Sequence, residues 1–205
     1  MFRITAATAL ALVLFFPVTA TAENASESAS ENTAPQWHMV KEESSIIFNA
    51  KQMGSDIRGR IENFEAEIFF DPEALAESRV TVTVYADSIN SDYDTRDDTL
   101  KGPEWFAADR YPAVTYQCAD FERTDGTAED GTYLCRGELT IREVTAPLDL
   151  PFRLTIAEEN GKTTARMTSE TVMQRLQYRL GRGDWADSSI IHNDVRLEIS
   201  VTAHK

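Results

Sequence analysis

The residues that could support catalysis or bind a metal are scattered along this chain. The three histidines, His38, His192 and His204, lie in separate segments, and no two have the i, i+4 spacing of a helical metal site. The sequence contains no Gly-x-Ser-x-Gly motif and no Cys-x-x-Cys motif. We therefore predict no catalytic residues, no metal site and no cofactor, and we do not expect an enzyme.

An acidic cluster comes nearest to a cation site. It consists of Asp92, Asp94, Asp97 and Asp98. Arg96 stands at a position where a calcium-binding loop needs an oxygen ligand. Acidic side chains favour the first turn of a helix because they complement its dipole. The cluster therefore predicts a solvated helix start.

Two cysteines, Cys118 and Cys135, lie on the apolar faces of successive strand-like segments. A hairpin centred near Gly126 and Thr127 would place them opposite each other. Cysteines whose Cα atoms lie within about 7 Å can form a disulfide. We predict a disulfide, and two buried thiols are the alternative.

The elements that would position these residues follow from a period-two alternation that starts at Trp37. Leu148, Leu150 and Phe152, for example, alternate with Asp149 and Pro151. Such alternation predicts strands with one face in an apolar interior and one face in water. We expect two short helices, near residues 72–78 and 94–101. We expect eight or nine strands, near residues 37–41, 45–52, 57–70, 79–90, 111–122, 132–141, 147–157, 163–173 and 193–203.

Many strands joined by tight turns predict an all-β, antiparallel sandwich or barrel. The alternation alone does not distinguish the two. About eight strands closed into a barrel leave an interior that side chains fill or that holds one small ligand.

The first 36 residues predict export. Arg3 precedes an apolar run from Ala6 to Val18, and Ala20-Thr21-Ala22 resembles a cleavage site. This pattern is typical of a cleavable signal peptide over residues 1–22, which predicts an exported protein; a membrane anchor is the alternative. Residues 23–36 are mostly small and polar and predict a flexible linker.

The formal net charge of −14 describes a strongly acidic protein. Such a surface repels phosphate backbones, so we expect no nucleic-acid partner.

Six stretches together form a recognisable pattern along the chain: Ser45–Gly54, Ile57–Phe64, Ser88–Asn90, Thr95–Lys101, Trp105–Pro112 and Gly137–Leu148. In spacing and order they resemble one family, the YceI-like periplasmic polyisoprenoid-binding proteins. The resemblance implies a periplasmic protein with a lipocalin-like antiparallel β-barrel of about eight strands over residues 37–205. It also implies an internal pocket for an isoprenoid lipid or a quinone.

If the barrel is hollow, apolar residues on the inward strand faces should line the pocket. Arg58, Arg60 and Arg96 are candidates for binding a polar head group, because guanidinium groups bind phosphate with two hydrogen bonds. The predicted lining residues are Ile46, Phe48, Met53, Phe64, Ile68, Val82, Val84, Phe106, Tyr116, Leu139 and Leu148.

Three functional hypotheses follow. The first is a periplasmic carrier that holds a long-chain isoprenoid-type lipid in the barrel. The second is a filled barrel that acts on a membrane partner, such as an electron-transfer protein, through transient contact. The third is a lipid-modifying enzyme. The sequence leaves the oligomeric state open, a dimer included.

Overall fold

Strands make up most of the part of the chain that the computed structural model describes, residues 34–159 and 161–205. One α-helix, α1 (Asp94–Lys101), follows the sixth strand. Short 3-10 turns lie at Lys41–Glu43, Leu75–Glu77, Ala86–Ser88, Arg175–Tyr178 and Gly183–Ala186. The strands are β1 (Gln36–Met39), β2 (Ser45–Gln52), β3 (Ser55–Ile61), β4 (Phe64–Phe69), β5 (Arg79–Tyr85), β6 (Ile89–Asn90), β7 (Ala113–Gly126), β8 (Asp130–Ile141), β9 (Val144–Glu159), β10 (Lys162–Gln174) and β11 (Asp194–His204).

All pairings are antiparallel, and they close into a barrel. Strand β11 pairs with β2 along its first half and with β1 at its end, where His38 lies opposite His204. Strands β1 and β2 therefore lie end to end and form one wall strand. Strands β3 and β4 do the same, as do β5 and β6. With β7 to β11 these make an eight-stranded, up-and-down barrel, as predicted.

Alternation located these wall strands but not their interruptions. The predicted strand 57–70 breaks between Ile61 and Phe64, and the predicted strand 79–90 is interrupted by the turn Ala86–Ser88. The predicted helix near 72–78 is only the short turn Leu75–Glu77, whereas the second predicted helix forms over the expected residues.

The connections differ in length between the two ends of the barrel. One end, which we call the mouth end, carries residues 53–54, 91–112, 142–143 and 175–193, and so holds both of the longest connections. The opposite end carries residues 70–78, 127–129 and the turn at Gly161. We call it the aromatic end.

Aromatic rings close that second end. Phe70 packs edge-on against Phe121, Tyr133 and Phe152, with ring centroids 5.3, 5.8 and 6.3 Å away. Trp37 is buried beside them, and its Nε1 donates a hydrogen bond to the carbonyl of Phe70 over 2.9 Å. Edge-to-face packing of this kind stabilises beyond the area that it buries.

A disulfide joins Cys118 to Cys135, with Cα atoms 6.3 Å apart. The two residues are diagonal neighbours, because Cys118 pairs with Gly137 and Cys135 pairs with Phe121. The predicted direct pairing is wrong because the turn lies at residues 127–129, later in the chain than predicted, and two irregularities in β7 offset only part of that difference. The disulfide forms all the same, since the diagonal distance is short enough to be bridged.

The predicted signal peptide, residues 1–22, lies outside the described residues, as does most of the predicted linker. The barrel begins before residue 37, because Gln36 already belongs to β1 and the carbonyl of Pro35 accepts a hydrogen bond from Phe70. Within the described ranges, none of the helices has the length and apolar character needed to cross a bilayer.

Candidate ligand-binding site

The barrel encloses a cavity of about 500 Å³. It extends from Trp37 and Phe70 at the aromatic end to Gln52 and Arg96 at the mouth end. Aliphatic and aromatic side chains from all the long wall strands line it. Pockets that hold small organic ligands commonly have volumes of roughly 300–1,000 Å³, so this cavity has room for one.

The burial of the inward-facing side chains shows where the hollow lies. Val114 and Tyr116 on β7 and Leu139 on β8 are buried. Inward-facing residues of β5 and β11, such as Val82 and Leu197, are only half-buried although they point into the barrel. Since packed interiors leave few voids, these half-buried side chains border open space.

The structure places most of the predicted lining residues around this cavity. They come from β2, β4, β5, β7, β8, β9 and the connection after α1, and they are Ile46, Phe48, Phe64, Ile68, Val82, Val84, Phe106, Tyr116, Leu139 and Leu148.

Met53 is the predicted lining residue that lies elsewhere. It occupies the tip of the β2–β3 hairpin, where its side chain is 78% exposed. Its φ of 49° and that of Gly54, 81°, define a two-residue turn that points the Met53 side chain away from the cavity. The alternation of the flanking strands does not extend into such a turn.

Polar side chains border the cavity only near its mouth end and at isolated points of the wall. At the mouth end these side chains are Gln52, the last residue of β2, and Tyr93, which precedes α1. Three more belong to α1: Thr95, Arg96 and Thr99. Tyr93 is 56% exposed, and Thr95 is also exposed, so the cavity reaches the protein surface beside α1.

The start of α1 is fixed by a buried carboxylate. Asp97 accepts hydrogen bonds from the backbone N–H of Ser91 over 2.9 Å and from its hydroxyl over 2.5 Å. These bonds connect the residue after β6 to α1, and they satisfy the one buried member of the acidic cluster. Among the described residues, no group of three or more His, Cys, Asp or Glu side chains could hold a metal ion.

Arg96 is the head-group candidate that borders the cavity. Its guanidinium lies over the ring of Tyr93, 5.3 Å from the centroid. In the described part of the chain, it has no ion-pair partner within 4.0 Å. An unpaired guanidinium at the edge of an apolar cavity is free to bind an anionic group.

Arg58 and Arg60 lie on the outer face of β3 and pair with carboxylates there. Arg58 donates two hydrogen bonds to Glu198, over 3.0 and 2.9 Å, and these bonds lower the pKa of that carboxyl. Arg60 pairs with Asp92 over 2.8 Å, which raises the pKa of the guanidinium. Neither side chain borders the main cavity, because alternation turns both outward.

The wall also contains a buried arginine that sequence reasoning missed. Arg175 is 1% exposed and borders the cavity beneath the ring of Trp105. It donates hydrogen bonds to the carbonyls of His192, Leu180 and Ile191 over 3.0, 2.9 and 2.7 Å. Burial lowers its pKa. It lies just after β10, where the alternation ends, and its hydrogen-bond partners belong to connections that alternation does not predict.

The hydroxyl of Tyr116 is another polar group in the apolar wall. It donates a hydrogen bond to the carbonyl of Leu148 over 3.1 Å, and burial raises its pKa. It therefore remains neutral and is satisfied by the protein. Among the described residues that line the cavity there is no Asp, Glu, His or Lys, so the lining offers no carboxylate or imidazole as a general base.

These features define a hollow antiparallel β-barrel with one apolar cavity that reaches the surface beside a short helix. Residues 37–203 match the YceI-like domain. The chain belongs to the YceI-like family.

The relatives agree with this assignment. A UPF0312 protein of Photorhabdus laumondii is 30% identical over 106 residues, which are 51% of this chain and 53% of that protein. A UPF0312 protein of Vibrio cholerae is 29% identical over 106 residues, which again are 51% of this chain and 53% of that protein. The chain thus spans about half the length of the curated relatives it matches.

Solved structures show the same fold. Burkholderia cenocepacia BcnA superposes with a TM-score of 0.71 at 24% identity, covering 80% of this chain and 98% of that one. A polyisoprenoid binding domain from Saccharophagus degradans, described as implicated in plant cell wall breakdown, gives a TM-score of 0.64 at 12% identity. That comparison covers 82% of this chain and 97% of the other.

Proposed function

We propose that this protein binds and carries one long-chain isoprenoid-type lipid, such as a polyprenyl phosphate or a quinone, in the periplasm. The observation that carries the proposal is the continuous apolar cavity between the aromatic end and the mouth end. The polyisoprenoid binding domain from Saccharophagus degradans has the same fold, which supports a ligand of this class.

The apolar lining favours long ligands. Burial of one methylene contributes about 0.8 kcal/mol, whereas association costs roughly 4–15 kcal/mol. A chain of about ten carbons would therefore hardly bind, and one of about twenty could reach micromolar affinity.

Arg96 is the residue we propose for the polar head group. It borders the cavity where the cavity reaches the surface, and it has no carboxylate partner among the described residues. The tail of the ligand would then lie along Phe48, Val82 and Leu139 towards the aromatic end.

The cavity favours binding over the two alternatives. A filled barrel that acts only through its surface would not leave the inward residues of β5 and β11 half-buried. Catalysis would need an acid or base at the ligand, and the described lining has no carboxylate or imidazole. Export is supported by the signal-like segment of residues 1–22, and the periplasm as its destination is supported by the YceI-like family.

The test is to purify the protein from its native compartment and analyse its organic extract by mass spectrometry, with uptake of an added prenyl alcohol as a second readout. We expect an isoprenoid in the extract and saturable uptake. In Val82→Trp, an indole should occupy the cavity and abolish uptake. Thr81→Trp, which places the same side chain on the outer face of β5, should bind normally. An empty extract together with no uptake would refute the proposal.

A further inference from the structure

Large hydrophobic side chains are exposed next to the cavity mouth. Met53 at the tip of the β2–β3 hairpin is 78% exposed, and Tyr93 before α1 is 56% exposed. Gln52, the neighbour of Met53, lines the cavity, as does Tyr93 itself. The two side chains therefore flank the place where a ligand would enter.

Local structure favours a different residue at each of these positions. Met53 and Gly54 form a two-residue hairpin loop with positive φ at both positions, where Asn, Asp or Gly is preferred in the first. Tyr93 is the N-cap residue of α1 and makes no capping hydrogen bond with its side chain, whereas Ser, Thr, Asp and Asn are preferred there. Neither turn geometry nor helix capping explains these two hydrophobic residues.

Charge favours the mouth end only slightly, so the choice of end rests on Met53 and Tyr93. The charged side chains of the described connections at the aromatic end, Asp71, Glu73, Glu77 and Glu129, are acidic, and Lys205 lies at the same end after β11. The described connections at the mouth end are also acidic on balance, because Arg175 and Asp97 are buried and the other acidic side chains outnumber the basic ones. The basic ones are Arg96, Lys101, Arg110, Arg142, Arg179 and Arg182, and the acidic ones are Asp92, Asp94, Asp98, Glu104, Asp109, Glu143, Asp184 and Asp187.

We propose that the mouth end docks on a lipid bilayer, with Met53 and Tyr93 inserted among the lipid head groups. This inference rests on the proposed function, because a long apolar ligand is drawn from a membrane and is costly to expose to water. Tyrosine suits the membrane interface, since its ring is apolar and its hydroxyl remains hydrated. A charged protein partner is less favoured, because Met53 and Tyr93, the two exposed side chains that distinguish this surface, are uncharged.

The test measures binding of the full chain to vesicles of phosphatidylethanolamine with a minor fraction of phosphatidylglycerol, by co-flotation. Met53→Ser and Tyr93→Ser should each weaken binding by roughly three- to tenfold, and together by more. Binding should persist or strengthen as salt rises, because salt screens the repulsion between acidic protein and anionic lipid.

Val172→Ser provides the matched control. Val172 is also an exposed large hydrophobic residue, 48% exposed, but it lies on the outer wall of β10 opposite Arg196 and does not line the cavity. It should leave vesicle binding unchanged. The inference is overturned if wild-type protein does not float with vesicles, or if the double variant floats as well as wild type.

Uptake of a prenyl alcohol added from ethanol, without vesicles, separates this inference from the proposed function. Wild type and Met53→Ser should bind it equally well, because Met53 does not line the cavity. If uptake is normal but the substitutions at Met53 and Tyr93 do not change flotation, only the docking surface is refuted. No uptake by wild type would refute the proposed function itself.

Discussion

At the aromatic end of the barrel four rings pack against one another, and the indole of Trp37 is held by a hydrogen bond to the backbone. At the mouth end the long connections leave Tyr93 and Arg96 partly exposed beside the cavity. The side chains at the aromatic end therefore pack against one another, whereas Tyr93 and Arg96 at the mouth end remain accessible to a ligand. We expect substitutions at the first end to reduce stability and substitutions at the second to change binding.

The largest expected effect is on stability at the aromatic end. Phe70→Ala removes a buried ring that contacts three others and should reduce the free energy of unfolding by about 3–5 kcal/mol in chemical denaturation. Tyr93→Ala, an aromatic truncation at the mouth end, should cost less than about 1 kcal/mol because that ring is mostly exposed. Equal losses would remove the distinction between the ends.

The disulfide should have the next largest effect. Its residues are 17 apart in sequence, and a loop of that length restricts the unfolded chain by about 3 kcal/mol. The Cys118→Ala, Cys135→Ala double variant should therefore lose about 2–4 kcal/mol of stability and still bind the ligand. Loss of binding without loss of stability would show that the disulfide shapes the cavity instead.

Arg96 tests the mouth end directly. Arg96→Gln removes the guanidinium at the edge of the cavity and should weaken binding of a prenyl phosphate by roughly tenfold, while a prenyl alcohol of equal length binds as before. Arg58→Gln is the matched control, because Arg58 lies on the outer wall and pairs with Glu198. Titration with the two ligands distinguishes a head-group contact from a general loss of fold.

The smallest effect concerns exposed ion pairs, one in each half of the barrel. Arg58 lowers the pKa of Glu198, and Arg166 lowers that of Glu159. A carboxyl with a lowered folded-state pKa contributes stability above its usual pKa, about 4.3, and loses it as the pH falls through the lowered value. The melting temperature should therefore fall slightly below about pH 4, and less steeply in Arg58→Gln and Arg166→Gln. If the melting temperatures of the variants depend on pH as that of the wild type does, these ion pairs do not contribute to the pH dependence of stability.

Sequence alternation predicted the wall strands and most of the cavity lining because inward position depends only on a period of two. It failed where that period ends. Met53 lies in a turn whose positive φ directs it outward, and Arg175 lies beyond β10, where only the folded connections create its partners. The pairing of Cys118 depended on two register shifts in β7, which have no signature in the pattern of apolar residues.

The measurement that tests the central claim most directly is a titration of the protein with prenyl alcohols of increasing length. If the hollow between Phe70 and Arg96 holds the tail, affinity should increase with each isoprene unit and level off once the cavity of about 500 Å³ is full. Thr81→Trp should reproduce this dependence, and Val82→Trp should remove it. Affinity that is absent, or equal for short and long chains, would contradict the account.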